Sequence, residues 1–334
     1  MRIWIDLANS PHVPFFRPLA DEFESRGHVV MVTARQFAET IPLAEAAGFA
    51  LEVVGAHGGA RLSGKAGNLV GRGLALARWA RGKKLDLAIS HNSYSQILAA
   101  KALAIKSVTL MDYEHQPANH LAFRLASRVI VPRAFPDEAL SHFGVAPAKV
   151  RRYDGIKEDV YLSSFVADSR FAEQLRLLGV EHEDILVVVR PPATEALYHR
   201  FENELFDRLL EHLTQSAKVV LLPRNDWQRD YYRGGKIIIP ARTLDGANLI
   251  AHSDLVVSAG GTMNREAAAL GIPAASIYLG EWAAIDQQLI DEGRLIRIAN
   301  DDDIRELKVK KKAAVASRAG SNALEQVANL ILED

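Results

Sequence analysis

A chain of 334 residues, 49% hydrophobic and 24% charged, is too long for one ordinary core and fits two domains of about 150 residues each. No apolar run approaches the ~18 residues that span a bilayer, and the absence of cysteine excludes disulfides, thiolate metal sites and cysteine nucleophiles. The N-terminus opens directly into strand-forming residues, Arg2-Ile3-Trp4-Ile5-Asp6, so a signal peptide has no room and a cytoplasmic location is expected.

Strand-like and helix-like segments alternate throughout. Ile3–Ile5 is followed by a helical stretch Phe15–Arg26, then Val29–Val32, a helical stretch Glu39–Ala47, and Leu51–Val54. Leu87–Ile89, the alanine-rich Gln96–Ala104, Ser107–Leu110 and Val129–Val131 continue the pattern. The second half repeats it with strands at Ile185–Val189, Val219–Leu222, Ile237–Ile239, Leu255–Val257 and Ala275–Ile277, and helices at Glu202–Leu213, Gly246–Ala251, Asn264–Leu270 and Ile285–Glu292. This order predicts an α/β protein of two Rossmann-like, doubly wound parallel-sheet domains. The expected bounds are 1–163 and 164–318, joined by a polar connection around Tyr153–Asp184. Charge divides unevenly: residues 1–160 carry +5 and residues 161–334 carry −6. Seven basic residues lie between Arg61 and Lys84 with no acid among them: Arg61, Lys65, Arg72, Arg78, Arg81, Lys83 and Lys84. Either they form a solvated helix face, or they dock an anionic acceptor or membrane headgroups at the inner membrane surface. With no nucleic-acid module and a pI of about 6.8, nucleic-acid binding is not expected.

The most informative string is Ser258-Ala259-Gly260-Gly261-Thr262-Met263-Asn264-Arg265-Glu266. The glycines fall where a buried strand turns into a helix, and the unpaired N–H groups of that helix start suit a phosphate or pyrophosphate. Glu266, about one turn further on, has the reach to accept hydrogen bonds from two ribose hydroxyls. The alternative is a strand-to-helix turn whose glycines only relieve crowding. Arg190 and Arg224 leave strand ends on the same side, placed either for bidentate contact with phosphate oxygens or for surface salt bridges. After the first strand, His12 lies on a loop where α/β enzymes place ligand-contacting groups, and a neutral imidazole can take a proton from an acceptor hydroxyl. A histidine at the helix start without a catalytic role is the alternative. Two further loops, Ser90–Ser95 and Met111–His120, end strands on the same side. No His/Asp cluster has metal-ligand spacing, so no metal site is expected; no cofactor is expected either.

The Gly-Gly turn, Glu266 and the following Gly271-Ile272-Pro273 resemble, without a gap, the sugar-nucleotide site of two-Rossmann-domain (GT-B type) glycosyltransferases, in particular the glucosaminyltransferase that makes lipid II. With a one-residue offset they also resemble UDP-N-acetylglucosamine 2-epimerases. The resemblance implies that Gly260, Gly261, Thr262 and Glu266 bind the donor nucleotide in a cleft between domains, that Asp286 touches the donor sugar, and that a C-terminal helix in 319–334 crosses back to the first domain. The string His12-Val13-Pro14-Phe15-Phe16-Arg17-Pro18-Leu19-Ala20 resembles the first loop and helix of the lipid II enzyme, with Asn9-Ser10-Pro11 in place of its glycines. In the epimerases two loop carboxylates transfer protons; Glu114 aligns with the glutamate, whereas Asn92 stands at the aspartate position. Over its whole length the chain resembles a family known as domain of unknown function 354, through Trp4-Ile5-Asp6, Tyr153-Asp154-Gly155-Ile156-Lys157-Glu158-Asp159 and the Gly-Gly string. The expected function is an inverting, metal-independent glycosyltransferase using a UDP-sugar, with His12 and Glu114 as catalytic residues and a lipid-linked or anionic acceptor. The alternatives are an epimerase or hydrolase of UDP-N-acetylglucosamine and a non-catalytic sugar-nucleotide-binding protein.

Overall fold

The computed structural model describes residues 1–37, 39–56, 62–192, 200–313 and 322–333. The chain divides into two compact units, Met1–Ser163 with Ala283–Ile285 and Ser321–Asp334, and Ser164–Trp282 with Asp286–Gly320.

The first unit holds seven strands: β1 (Arg2–Leu7), β2 (Val29–Gln36), β3 (Leu51–Ala56), β4 (Leu87–His91), β5 (Lys106–Leu110), β6 (Arg128–Pro132) and β7 (Val150–Tyr153). Their order is β3-β2-β1-β4-β5-β6-β7, and each observed pairing is parallel. Parallel strands need crossovers, and right-handed crossovers that run outward from β1 in both directions cover both faces of the sheet. That is why Ile3, Trp4, Ile5 and Leu7 are all fully buried rather than alternately exposed. The helix His12–Ser25 covers one face with Val13, Phe15, Phe16, Leu19 and Phe23, and the helix Ala323–Leu332 buries Val327, Ala328 and Ile331 in the same core. Arg128 secures this last helix by donating from Nη1 to the carbonyl of Leu330 at 2.9 Å.

The second unit repeats the design with β8 (Leu186–Arg190), β9 (Lys218–Leu221), β10 (Ile237–Ile238), β11 (Leu255–Ser258), β12 (Ala274–Ser276) and β13 (Leu295–Arg297), in the order β10-β9-β8-β11-β12-β13. In each sheet the strand order reverses at one place, between β1 and β4 and between β8 and β11. The crossovers on the two sides of such a point run to opposite faces, leaving a crevice at the carboxyl ends of the strands where ligands bind in this architecture.

Two strands escaped the sequence reading, β7 and β13. Both are short edge strands, of four and three residues, and neither has the apolar run that marks a buried central strand. The connection expected around Tyr153–Asp184 has the turn glycine expected of it, but the polar residues just after that glycine are buried. Gly155 turns with φ of 95°, a conformation that suits glycine, and the next helix, Lys157–Leu162, buries Lys157, Glu158 and Asp159 as well as Val160. Asp159 holds its start by accepting from the backbone N–H of Ile156 at 2.9 Å.

The basic segment is also partly corrected. Arg61 lies outside the described residues, as does the side chain of Lys65. Arg72 points inward from the helix Leu62–Ala80 and pairs with the fully buried Asp6: Nη1 donates to Oδ2 at 2.8 Å and Nη2 to Oδ1 at 2.7 Å. Its Nε donates to the carbonyl of Val54 at 2.8 Å. Thr33 and Ser93 also donate to Asp6, and Trp4 Nε1 donates to Thr33 at 2.8 Å. Two arms of the guanidinium are thus matched to a carboxylate whose remaining lone pairs meet hydroxyls, the condition under which a buried ion pair is tolerated. Lys83 is engaged too, 3.0 Å from Glu52 and 4.5 Å above the Trp79 ring. Arg78, Arg81 and Lys84 remain as the exposed cations of the described part.

Candidate functional site

At the reversal point of the second sheet, β11 ends at Ser258 and the helix Gly261–Leu270 begins at once. This is three residues earlier than the sequence predicted, because glycine at the first helical position carries no apolar signal. Gly260 is the N-cap and no side chain caps the helix, so first-turn N–H groups stand unpaired within the helix and carry the positive end of its dipole. Ser258 Oγ accepts from Gly260 N at 3.0 Å, and the buried Asn264 donates from Nδ2 to the Ser258 carbonyl at 3.0 Å, which fixes the turn. Gly260 has φ −132° and ψ 150°, a conformation open to any residue. The glycines matter through space instead: a methyl group on Gly260 would lie 3.1 Å from Arg224 Nη2, and one on Gly261 3.3 Å from the Arg265 guanidinium.

Arg224 therefore reaches from the end of β9 to Gly260, crossing the end of β8, where Arg190 is exposed. Its Nε donates to the carbonyl of Pro191 at 2.7 Å, and its backbone N–H donates to Gln228 Oε1 at 2.8 Å. The fully buried Gln228 in turn donates from Nε2 to Pro192 at 2.7 Å, so the loops after β8 and β9 are tied together. Although solvent reaches much of its side chain, the protein crowded around the guanidinium and, second, the neighbouring Arg190 cation pull the Arg224 pKa down to about 10. It stays charged at neutral pH. Two cations held together beside a helix N-terminus form a site electrostatically deficient in an anion. Thr262 lies in the first turn and Glu266 one turn in, half-buried. Asp286 is occupied: Arg265 Nε donates to Oδ1 at 2.7 Å and Nη2 to Oδ2 at 2.9 Å, both residues being buried. Sequence reasoning missed Arg265, since an arginine in mid-helix reads as exposed. Ala193, Thr194 and Glu195, which follow the prolines, lie outside the described residues.

The reversal point of the first sheet gathers a different chemistry. His12 is the first residue of its helix, His91 the last of β4, and Asp112 follows β5. The two imidazole rings stand 5.3 Å apart; His91 Nε2 lies 3.3 Å from Asp112 Oδ1, and Lys157 Nζ lies 3.4 Å from both Asp112 Oδ2 and Glu158 Oε1. Burial first, then the neighbouring His91 ring and the Lys157 ammonium, hold the His12 pKa well below 6.5. The folded chain accordingly binds fewer protons than the unfolded chain around that pH. The stability due to neutral His12 is complete above the unfolded value of about 6.5 and is lost as pH falls below it. His12→Gln should flatten the acid side of the stability curve, measured by urea unfolding at a series of pH values; an unchanged slope would show that His12 is not held neutral.

Glu114, expected as a catalytic residue, is buried and accepts at Oε1 from the backbone N–H of Ala284 at 2.6 Å, with His115 Nε2 at 3.8 Å. Asn92 has φ of 57°, unusual for a residue with a side chain. Its Nδ2 donates to Asn119 Oδ1 at 2.6 Å and to Tyr94 Oη at 3.0 Å, so it braces the loop. Among the described residues no group of three or more His, Cys, Asp or Glu is placed to hold a metal ion, and no helix is long and apolar enough to cross a membrane.

This architecture is shared with known proteins. The chain covers the whole of a UDP-GlcNAc 2-epimerase from Neisseria meningitidis, solved with UDP-GlcNAc, at a TM-score of 0.75 and 14% identity, with all of both chains matched. Against MurG from Acinetobacter baumannii the TM-score is 0.60 at 16% identity, over 99% of this chain and 98% of the other. These likenesses establish the fold, two Rossmann-like parallel-sheet domains of the GT-B type. In sequence, an uncharacterized protein of Methanocaldococcus jannaschii is 30% identical over 339 residues, covering 99% of this chain and 96% of that protein. The family described as "Protein of unknown function (DUF354)" matches residues 1–334, and this chain belongs to it.

Proposed function

We propose that the protein is a sugar-nucleotide enzyme, and that its reaction is transfer of the sugar with inversion. The observation that carries this reading is the meeting of Arg190, Arg224 and the uncapped start of the helix Gly261–Leu270 at one strand-order reversal. Such a site takes a diphosphate, and Glu266 one turn further on is the acceptor for a ribose diol. The first unit supplies groups able to handle a proton, His12 among them, as removal of a proton from an acceptor hydroxyl requires. The UDP-GlcNAc named for the Neisseria meningitidis structure makes a UDP-sugar the first ligand to try.

Calorimetry with UDP, GDP, ADP and dTDP tests the reading and ranks the bases. Glu266→Ala should weaken the preferred nucleotide at least several-fold, since a hydrogen bond to a charged group contributes about 1.5–3 kcal/mol. Failure of all four nucleotides to bind would end the proposal. The greater likeness in fold to the epimerase than to MurG favours a second reading, epimerisation or hydrolysis of UDP-GlcNAc. NMR of UDP-GlcNAc incubated with the protein and no acceptor separates them: a 2-epimer or free sugar formed at a catalytic rate supports the second, an unchanged donor the first. Asn92 weighs against epimerisation, because an amide cannot act as a base and this one is committed to neighbours.

A further inference from the structure

We propose that the proton acceptor of the first unit is His91, held in position by Asp112, and that Lys157 and Glu158 complete its setting. This rests on the sugar-nucleotide reading and adds a residue role to it. Three features of the structure support it. His91 ends β4, Asp112 follows β5 and Lys157 opens the helix after β7, and their polar atoms run in one row: His91 Nε2 to Asp112 Oδ1 at 3.3 Å, then Asp112 Oδ2 to Lys157 Nζ at 3.4 Å. A carboxylate beside Nε2 keeps the proton on that nitrogen, leaving the lone pair on Nδ1. The second feature is charge. All members of the row are largely buried, His91 retaining 11% exposure of its side chain, and Asp112 and Glu158 set two carboxylates against the one ammonium of Lys157. The buried row is therefore short of one positive charge, a deficit that a poorly hydrated place makes costly. The third is the state of its neighbours. His12 is kept neutral by burial and by the cations around it, Lys157 and Arg35 included, and so resists taking up a proton. Glu114 is committed to Ala284. Asp159 belongs to its helix cap, and Phe15 meets the His91 ring edge-on at 5.6 Å.

In the reaction, the acceptor hydroxyl gives its proton to His91 Nδ1 as its oxygen bonds to the anomeric carbon. The bond from that carbon to the diphosphate breaks, and its electron pair leaves with the nucleoside diphosphate.

The test is NMR of the full chain labelled with nitrogen-15 histidine, using His91→Gln for assignment. The free protein should show His91 as the Nε2–H tautomer, and Asp112→Asn should abolish that preference. Adding UDP-GlcNAc should shift the His91 Nδ1 resonance, while UDP alone should leave it in place. A UDP-GlcNAc complex seen by calorimetry with His91 unmoved would overturn the role of His91 and leave the nucleotide reading standing. If neither UDP nor UDP-GlcNAc binds, the nucleotide reading fails and this assignment falls with it.

Discussion

Arg72→Met should destabilise the first unit by about 3–5 kcal/mol, a large part of the total stability of an ordinary domain. Methionine fills the volume of the aliphatic stem but leaves Asp6 buried and charged without its counter-ion, and leaves the carbonyl of Val54 without its donor. Thr33 and Ser93 continue to donate to Asp6, yet neutral hydroxyls do not replace a full positive charge. The loss belongs mostly to the stranded carboxylate, so adding Asp6→Asn to Arg72→Met should recover more than half of it. Trp4 and Trp79, with ring centroids 5.2 Å apart, sit beside this network and report it. In a Trp227→Phe, Trp282→Phe background, urea unfolding followed by fluorescence then reads the first unit alone. A double variant as unstable as the single one would place the cost in lost packing, not in stranded charge.

Arg190→Ala combined with Arg224→Ala should reduce affinity for the nucleoside diphosphate by two orders of magnitude or more. Each charge-assisted hydrogen bond to phosphate contributes about 1.5–3 kcal/mol, and tenfold in affinity corresponds to about 1.4 kcal/mol. Affinity for the nucleoside itself should change little, because neither arginine has a part in holding base or ribose in the proposed arrangement. Arg224→Ala alone carries an additional effect, since its Nε contact to Pro191 links the loops after β8 and β9; Arg224→Lys keeps the charge and loses that link. Comparing the two by calorimetry with UDP separates charge from loop anchoring. Equal binding of UDP by the double variant and the native chain would place the diphosphate elsewhere.

The amino-acid sequence alone determined the architecture. Apolar runs such as Ile3–Ile5 and Val187–Val189 are long enough to mark strands buried on both faces, and their alternation with helices leaves little but parallel sheets with crossovers. It also marked the strand-to-helix turn of the proposed anion site, because a glycine pair between a buried strand and a helix is a local feature, complete within a dozen residues. Side-chain partners were another matter. Arg72, read as part of a basic surface, is 66 residues from Asp6, and Lys157 reaches Asp112 from the start of a short helix that follows β7, a strand with no clear pattern of its own. Arg265 and Asp286 meet 21 residues apart across a helix start. Such pairs depend on strand order and helix rotation, which bring together groups with no periodic relation in the chain. Charge in a sequence therefore looks solvated until the tertiary structure supplies its counter-charge, and only the folded chain decided which cations stay at the surface and which face the core.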